Sequence, residues 1–73
     1  MKSGNRRALL RIAEDSQDKR VSPFQVAARL RKLAYTEEDG YVKELLEEMA
    51  SRAEVGKDGA LDELLNLTRK ILS

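Results

Sequence analysis

Val21-Ser22-Pro23-Phe24-Gln25-Val26-Ala27-Ala28-Arg29-Leu30-Arg31-Lys32-Leu33-Ala34-Tyr35 is the stretch that decides the fold. Ser22 has the side chain of a helix N-cap, and Pro23 suits the first helical position, where no N–H is needed. Gln25 stands three residues after the cap, the spacing at which two side chains each satisfy the other residue's backbone N–H. Val21 and Val26 occupy the positions of a hydrophobic staple. From Pro23 onward, Val26, Ala27, Leu30, Leu33 and Ala34 recur at i, i+3, i+4, i+7, which makes one buried stripe. The stretch predicts a helix over 22–35.

The same period continues toward the C-terminus. Val42, Leu45, Leu46, Met49, Ala50 and Ala53 form the stripe of a helix over 37–54. Its cap is either Thr36 acting with Asp39 or Asp39 alone, and Glu37, Glu38 and Asp39 favour a helix N-terminus electrostatically. Gly56 is a stop signal. Asp58 is placed to cap a last helix over 58–72, with stripe Leu61, Leu64, Leu65, Thr68, Ile71 and Leu72, and with Arg69 and Lys70 in its final turn. Toward the N-terminus, Leu9, Leu10, Ile12 and Ala13 give a short helix over 5–16. Asp15-Ser16-Gln17-Asp18-Lys19 reads as its end and a loop.

No alternating strand pattern, internal repeat or low-complexity run occurs. The expectation is one all-α domain over 1–73: a compact bundle of three core helices plus a shorter N-terminal helix, four in all. Short loops make consecutive helices neighbours, and the first helix packs across the others or is partly detached. The stripes converge on Val26, Leu30, Leu33, Leu45, Leu46, Met49, Leu61, Leu64, Leu65 and Ile71 as the expected core.

The 73-residue chain is 37% charged and 41% apolar, with no cysteine and no histidine. Disulfides and cysteine-ligated zinc are excluded, and the commonest general base and metal ligand are missing. The carboxylates of the third segment fall on a solvated face, with Lys43 and Arg52 spaced to neutralise Glu47 and Glu48. Gly56-Lys57-Asp58-Gly59 matches neither a phosphate loop nor a calcium loop. A non-enzymatic protein without metal or cofactor is expected. No apolar run reaches membrane-spanning length, and the basic stretch 2–7 has no apolar signal core after it. The expected place is inside the cell, with no membrane partner.

Charge is unevenly divided. Residues 1–35 hold nine basic residues against three acidic ones, net +6; residues 36–73 hold five against ten, net −5. Either the basic half is a patch for nucleic acid or an acidic protein, or basic helices simply pack beside acidic ones. A helix-turn-helix does not fit, because the segment after 22–35 carries Glu37, Glu38, Asp39, Glu44, Glu47 and Glu48, which phosphate would repel.

At 100° per residue, Phe24, Ala28, Arg31 and Tyr35 fall in one line beside the apolar stripe, while Gln25, Arg29 and Lys32 form a polar line. The aromatic line either packs against the first helix, widening the core, or is an exposed aromatic-plus-arginine surface.

Residues 22–73 also resemble the C-terminal X domain of paramyxovirus phosphoproteins, a three-helix module. The resemblance lies in Thr36-Glu37-Glu38-Asp39, Tyr41 and Leu45-Leu46-Glu47-Glu48-Met49, continued by Leu61, Leu64, Leu67, Ile71 and Leu72. It implies a groove between two helices that binds a short helix-forming segment of the viral nucleoprotein. The strong caps and the lack of Cys, His and Trp equally match design rules for a bundle without ligand.

The leading expectation is an interaction module that binds a partner protein, such as an acidic amphipathic helix, through Phe24, Gln25, Arg29, Arg31, Lys32 and Tyr35. Charge reversal at Arg29 and Arg31 is then expected to slow association and leave the fold intact. The alternative is a nucleic-acid-associated protein using Arg6, Arg7, Arg11, Lys19, Arg20, Arg29 and Lys32.

Overall fold

A computed structural model describes residues 2–56 and 59–72. Four helices follow one another: α1 (Ser3–Asp15), α2 (Pro23–Thr36), α3 (Gly40–Val55) and α4 (Ala60–Leu72). No strand is present among the described residues.

α2 starts where its sequence dictates. Ser22 Oγ accepts the Gln25 backbone N–H at 3.2 Å, and Gln25 Oε1 accepts the Ser22 backbone N–H at 3.0 Å, so the capping box closes in both directions. Val21 packs against the buried cluster that contains Val26.

α3 begins at Gly40, later than the expected residue 37. Of the two candidate caps, Asp39 alone does the work: its Oδ1 accepts from the backbone N–H groups of Tyr41 at 3.0 Å and Val42 at 3.3 Å. The Thr36 hydroxyl is already committed, donating to the Leu33 carbonyl at 2.9 Å at the end of α2. Glu37 and Glu38 therefore precede the helix instead of opening it. The Glu37 carboxylate folds back over the connection, accepting from the backbone N–H groups of Glu38 (3.1 Å) and Asp39 (3.2 Å) and from the Asn5 amide on α1 (3.3 Å).

Gly56 ends α3 at φ +67°, a left-handed conformation that a residue with a Cβ adopts only at a cost. The expected cap of α4, Asp58, lies outside the described residues, as does the side chain of Leu61.

α2 and α3 make the most extensive contact, α1 lies against both α2 and α4, and α4 also lies against α3. Of the two expected placements, α1 is not detached: it packs against the other helices. Leu9 and Ile12 sit in the same buried cluster as Val26, Leu30, Leu33, Leu46, Met49 and Leu64. The radius of gyration is 10.9 Å, close to the roughly 11 Å of a compact chain this long, so no helix stands away from the body. The real stripe of α1 is Leu9, Ile12 and Ala13, followed by the buried C-cap residue Ser16. Leu10, expected on the apolar side, is about half exposed, because it stands some 100° from Leu9 and has no stripe partner. Leu45, Leu65 and Ile71 are partly rather than fully buried.

Candidate functional site

α2 is buried on one side by Val26, Ala27, Leu30, Leu33 and Ala34, and the opposite side faces solvent. Phe24, Gln25, Ala28, Lys32 and Tyr35 make up that outward face. Phe24 is 68% exposed and Tyr35 85% exposed. The line they form does not pack against α1, which overturns the core-widening alternative. α1 approaches the polar line instead: Arg29 Nη1 donates to Asp15 Oδ2 at 2.7 Å, and Arg29, Lys32, Leu33 and Thr36 face Asn5, Ala8, Arg11 and Ile12 across an open groove of about 430 Å³. On the other flank, Arg31 is paired with Glu54 of α3.

The six residues expected to meet a partner therefore divide by role. Phe24, Lys32 and Tyr35 are presented to solvent, and Lys32 makes no ion pair among the described residues. Gln25 spends its side-chain oxygen on the Ser22 cap. Arg29 and Arg31 brace α2 against α1 and α3. Charge reversal at these two arginines would set new carboxylates against Asp15 and Glu54, so it would lower stability as well as change the surface a partner meets. The signal for this was present in the sequence only as Asp15 and Glu54 themselves; their distance from α2 is a tertiary fact.

The basic residues proposed for nucleic acid are similarly spread. Arg11 lies 3.5 Å from Asp15, Arg29 shares that carboxylate, and Arg20 holds Asp18 through two nitrogens at 3.2 and 3.1 Å. Arg6 donates to the Leu72 carbonyl at 3.1 Å, at the negative end of the α4 dipole. Arg7, Lys19 and Lys32 remain without an ion pair among the described residues, on three separate segments of the chain. The two halves of opposite charge are also stitched together, by Lys2 to Glu38 at 2.9 Å and by Arg31 to Glu54. In α3, Arg52 bridges Glu48 at 2.9 Å and Glu63 of α4 at 3.0 Å, while Lys43 makes no ion pair among the described residues.

Among the described residues three ionisable groups are shifted, all on the surface. The hydrogen bond and charge of Lys2 hold the Glu38 carboxyl below its usual 4.5, and Glu38 raises Lys2 above 10.5 in return. Asp18 is lowered from 3.8 by hydrogen bonds from the Arg20 side chain and backbone.

Among the described residues, no three His, Cys, Asp or Glu side chains are grouped to hold a metal ion, and no buried side-chain nitrogen or oxygen lacks a hydrogen-bond partner. The buried Thr68 hydroxyl, for example, donates to the Leu64 carbonyl at 2.8 Å. No described helix is long and apolar enough to cross a membrane. What the arrangement offers is a surface: two exposed rings and an ammonium without an ion pair among the described residues, on a helix capped at its start and ion-paired on both flanks. Comparison with protein-family models, with curated proteins and with solved structures found no match.

Proposed function

We propose that this chain is a non-enzymatic interaction module that binds an acidic segment of a partner protein on the outward face of α2. The observation that carries this reading is the exposure of Phe24 and Tyr35, 68% and 85%, on one face of the helix. Large rings in solvent gain free energy when a partner covers them, and tyrosine and phenylalanine are enriched at the centres of protein interfaces. The helix beneath them is already ordered by the capping box and by Asp15 and Glu54, so little further ordering entropy is lost on binding. No carboxylate lies among Phe24, Gln25, Ala28, Lys32 and Tyr35, and the face is bordered by Arg29 and Arg31. A partner segment with carboxylates beside its apolar side chains complements that pattern.

The test is affinity capture on the immobilised chain after nuclease treatment, run beside a Phe24→Ser/Tyr35→Ser variant. Both side chains lie in solvent, so the variant keeps its fold. A partner whose affinity drops about tenfold or more in the variant supports the reading. A partner retained equally by both, or capture that nuclease abolishes, overturns it; the second result would favour nucleic acid.

A further inference from the structure

The groove between α1 and α2 has an apolar floor of Ala8, Ile12 and Leu33 and a basic rim of Arg11, Arg29 and Lys32. We propose that it receives one large apolar side chain of the same acidic partner segment, while Arg11 and Lys32 take carboxylates on either side of it. This rests on the interaction-module reading and adds a second subsite beside the aromatic face.

Charge argues for this occupant. Three cations border the groove, and one carboxylate, Asp15, answers them. Asp15 lies closer to Arg29, at 2.7 Å, than to Arg11, at 3.5 Å. Arg29 is therefore the fixed wall, and Arg11 is the guanidinium that an incoming carboxylate can recruit at least cost. Lys32 has no pair to break among the described residues. Size and shape narrow the choice further. The volume, about 430 Å³, has room for a large side chain together with the stems of its neighbours, and the groove is open, so it does not enclose a small molecule. A peptide covers an open groove with its own backbone. A second copy of this chain docking by the same face would bring cations against cations. Nucleic acid would find no aromatic ring in the floor on which to stack a base.

The experiment is selection of randomised displayed peptides on the full chain, followed by synthesis of the enriched sequences. Binding is then measured to wild type, Lys32→Glu, Ala8→Phe and Phe24→Ser/Tyr35→Ser. Enriched peptides should centre a Trp, Phe or Leu between Asp or Glu residues. Lys32→Glu, a surface change that leaves the core untouched, should weaken them about tenfold or more through like-charge repulsion. Ala8→Phe, which fills the groove, should abolish binding, with circular dichroism reporting the fold. If both changes leave affinity unaltered while the aromatic double variant loses it, the groove is refuted and the α2 face stands. If the groove variants lose affinity and the aromatic variant keeps it, the groove stands and the aromatic-face reading fails. Failure to enrich any peptide, or enrichment of basic ones, overturns the proposal.

Discussion

Arg29 of α2 donates to Asp15 of α1 at 2.7 Å, across fourteen residues of sequence, and both side chains are only partly exposed. This contact lies on the flank of α2 that the first helix covers, while the flank with the aromatic rings is left open.

Removing either partner should therefore be felt. Asp15→Asn is expected to cost about 0.5–1 kcal/mol, the upper part of the range for exposed ion pairs, because Arg11 loses its partner as well. A double-mutant cycle with Arg29→Met, read by urea denaturation, measures the pair directly. A coupling energy of zero would show that packing of Leu9 and Ile12 alone positions α1.

Ser22→Ala should lower stability by about 1 kcal/mol, since it orphans the Gln25 backbone N–H. Gln25→Ala should cost less, because the Ser22 N–H it frees is exposed and water replaces the bond. An unchanged denaturation midpoint for Ser22→Ala would mean that Pro23 and the α2–α3 packing suffice to start the helix.

Leu46→Ala removes a fully buried side chain from the centre of the cluster. The expected loss is about 2–5 kcal/mol, enough to unfold much of the population of a domain this small. Leu10→Ala, on a half-exposed neighbour of the stripe, should cost far less. Thermal melts of the two variants side by side check the contrast, and equal losses would contradict the placement of α1.

The Lys2–Glu38 pair predicts a specific pH behaviour. The Glu38 carboxyl is held below its ordinary 4.5, so its contribution is present above that value and is lost as pH falls through the lowered one. Lys2 is raised above 10.5, so its contribution is complete below that and is lost as pH rises through the raised value. The tether between the start of α1 and the α2–α3 connection thus holds across the window between. Carboxyl carbon NMR should show Glu38 titrating at lower pH in wild type than in Lys2→Met. Identical midpoints would show that the pair does not persist in solution.

Local chemistry was legible along the chain because it is written within one turn of helix. Ser22 with Gln25, and Gly56, each act on backbone groups a few residues away, so their spacing alone predicts the cap of α2 and the stop of α3. The stripes of α2 and α3 were legible for the same reason: one face of a helix collects residues three and four apart, and apolar residues there have to leave water. The i, i+4 spacing of Arg52 and Glu48 is likewise realised as a bond, whereas the same spacing of Lys43 and Glu47 gives no ion pair among the described residues. The choice between open alternatives was not legible. Thr36 was a possible cap until its hydroxyl met the Leu33 carbonyl, and Glu37 was a helix-opening carboxylate until it met Asn5 from the other end of the chain. Phe24 and Tyr35 were either core or surface, because a flank of α2 carries no mark of which neighbour will cover it. That was decided when α1 docked beside Arg29 and α3 beside Arg31. Burial on a flank is a property of two helices at once, set by contacts between residues far apart in sequence, and a periodicity within one helix contains no term for it.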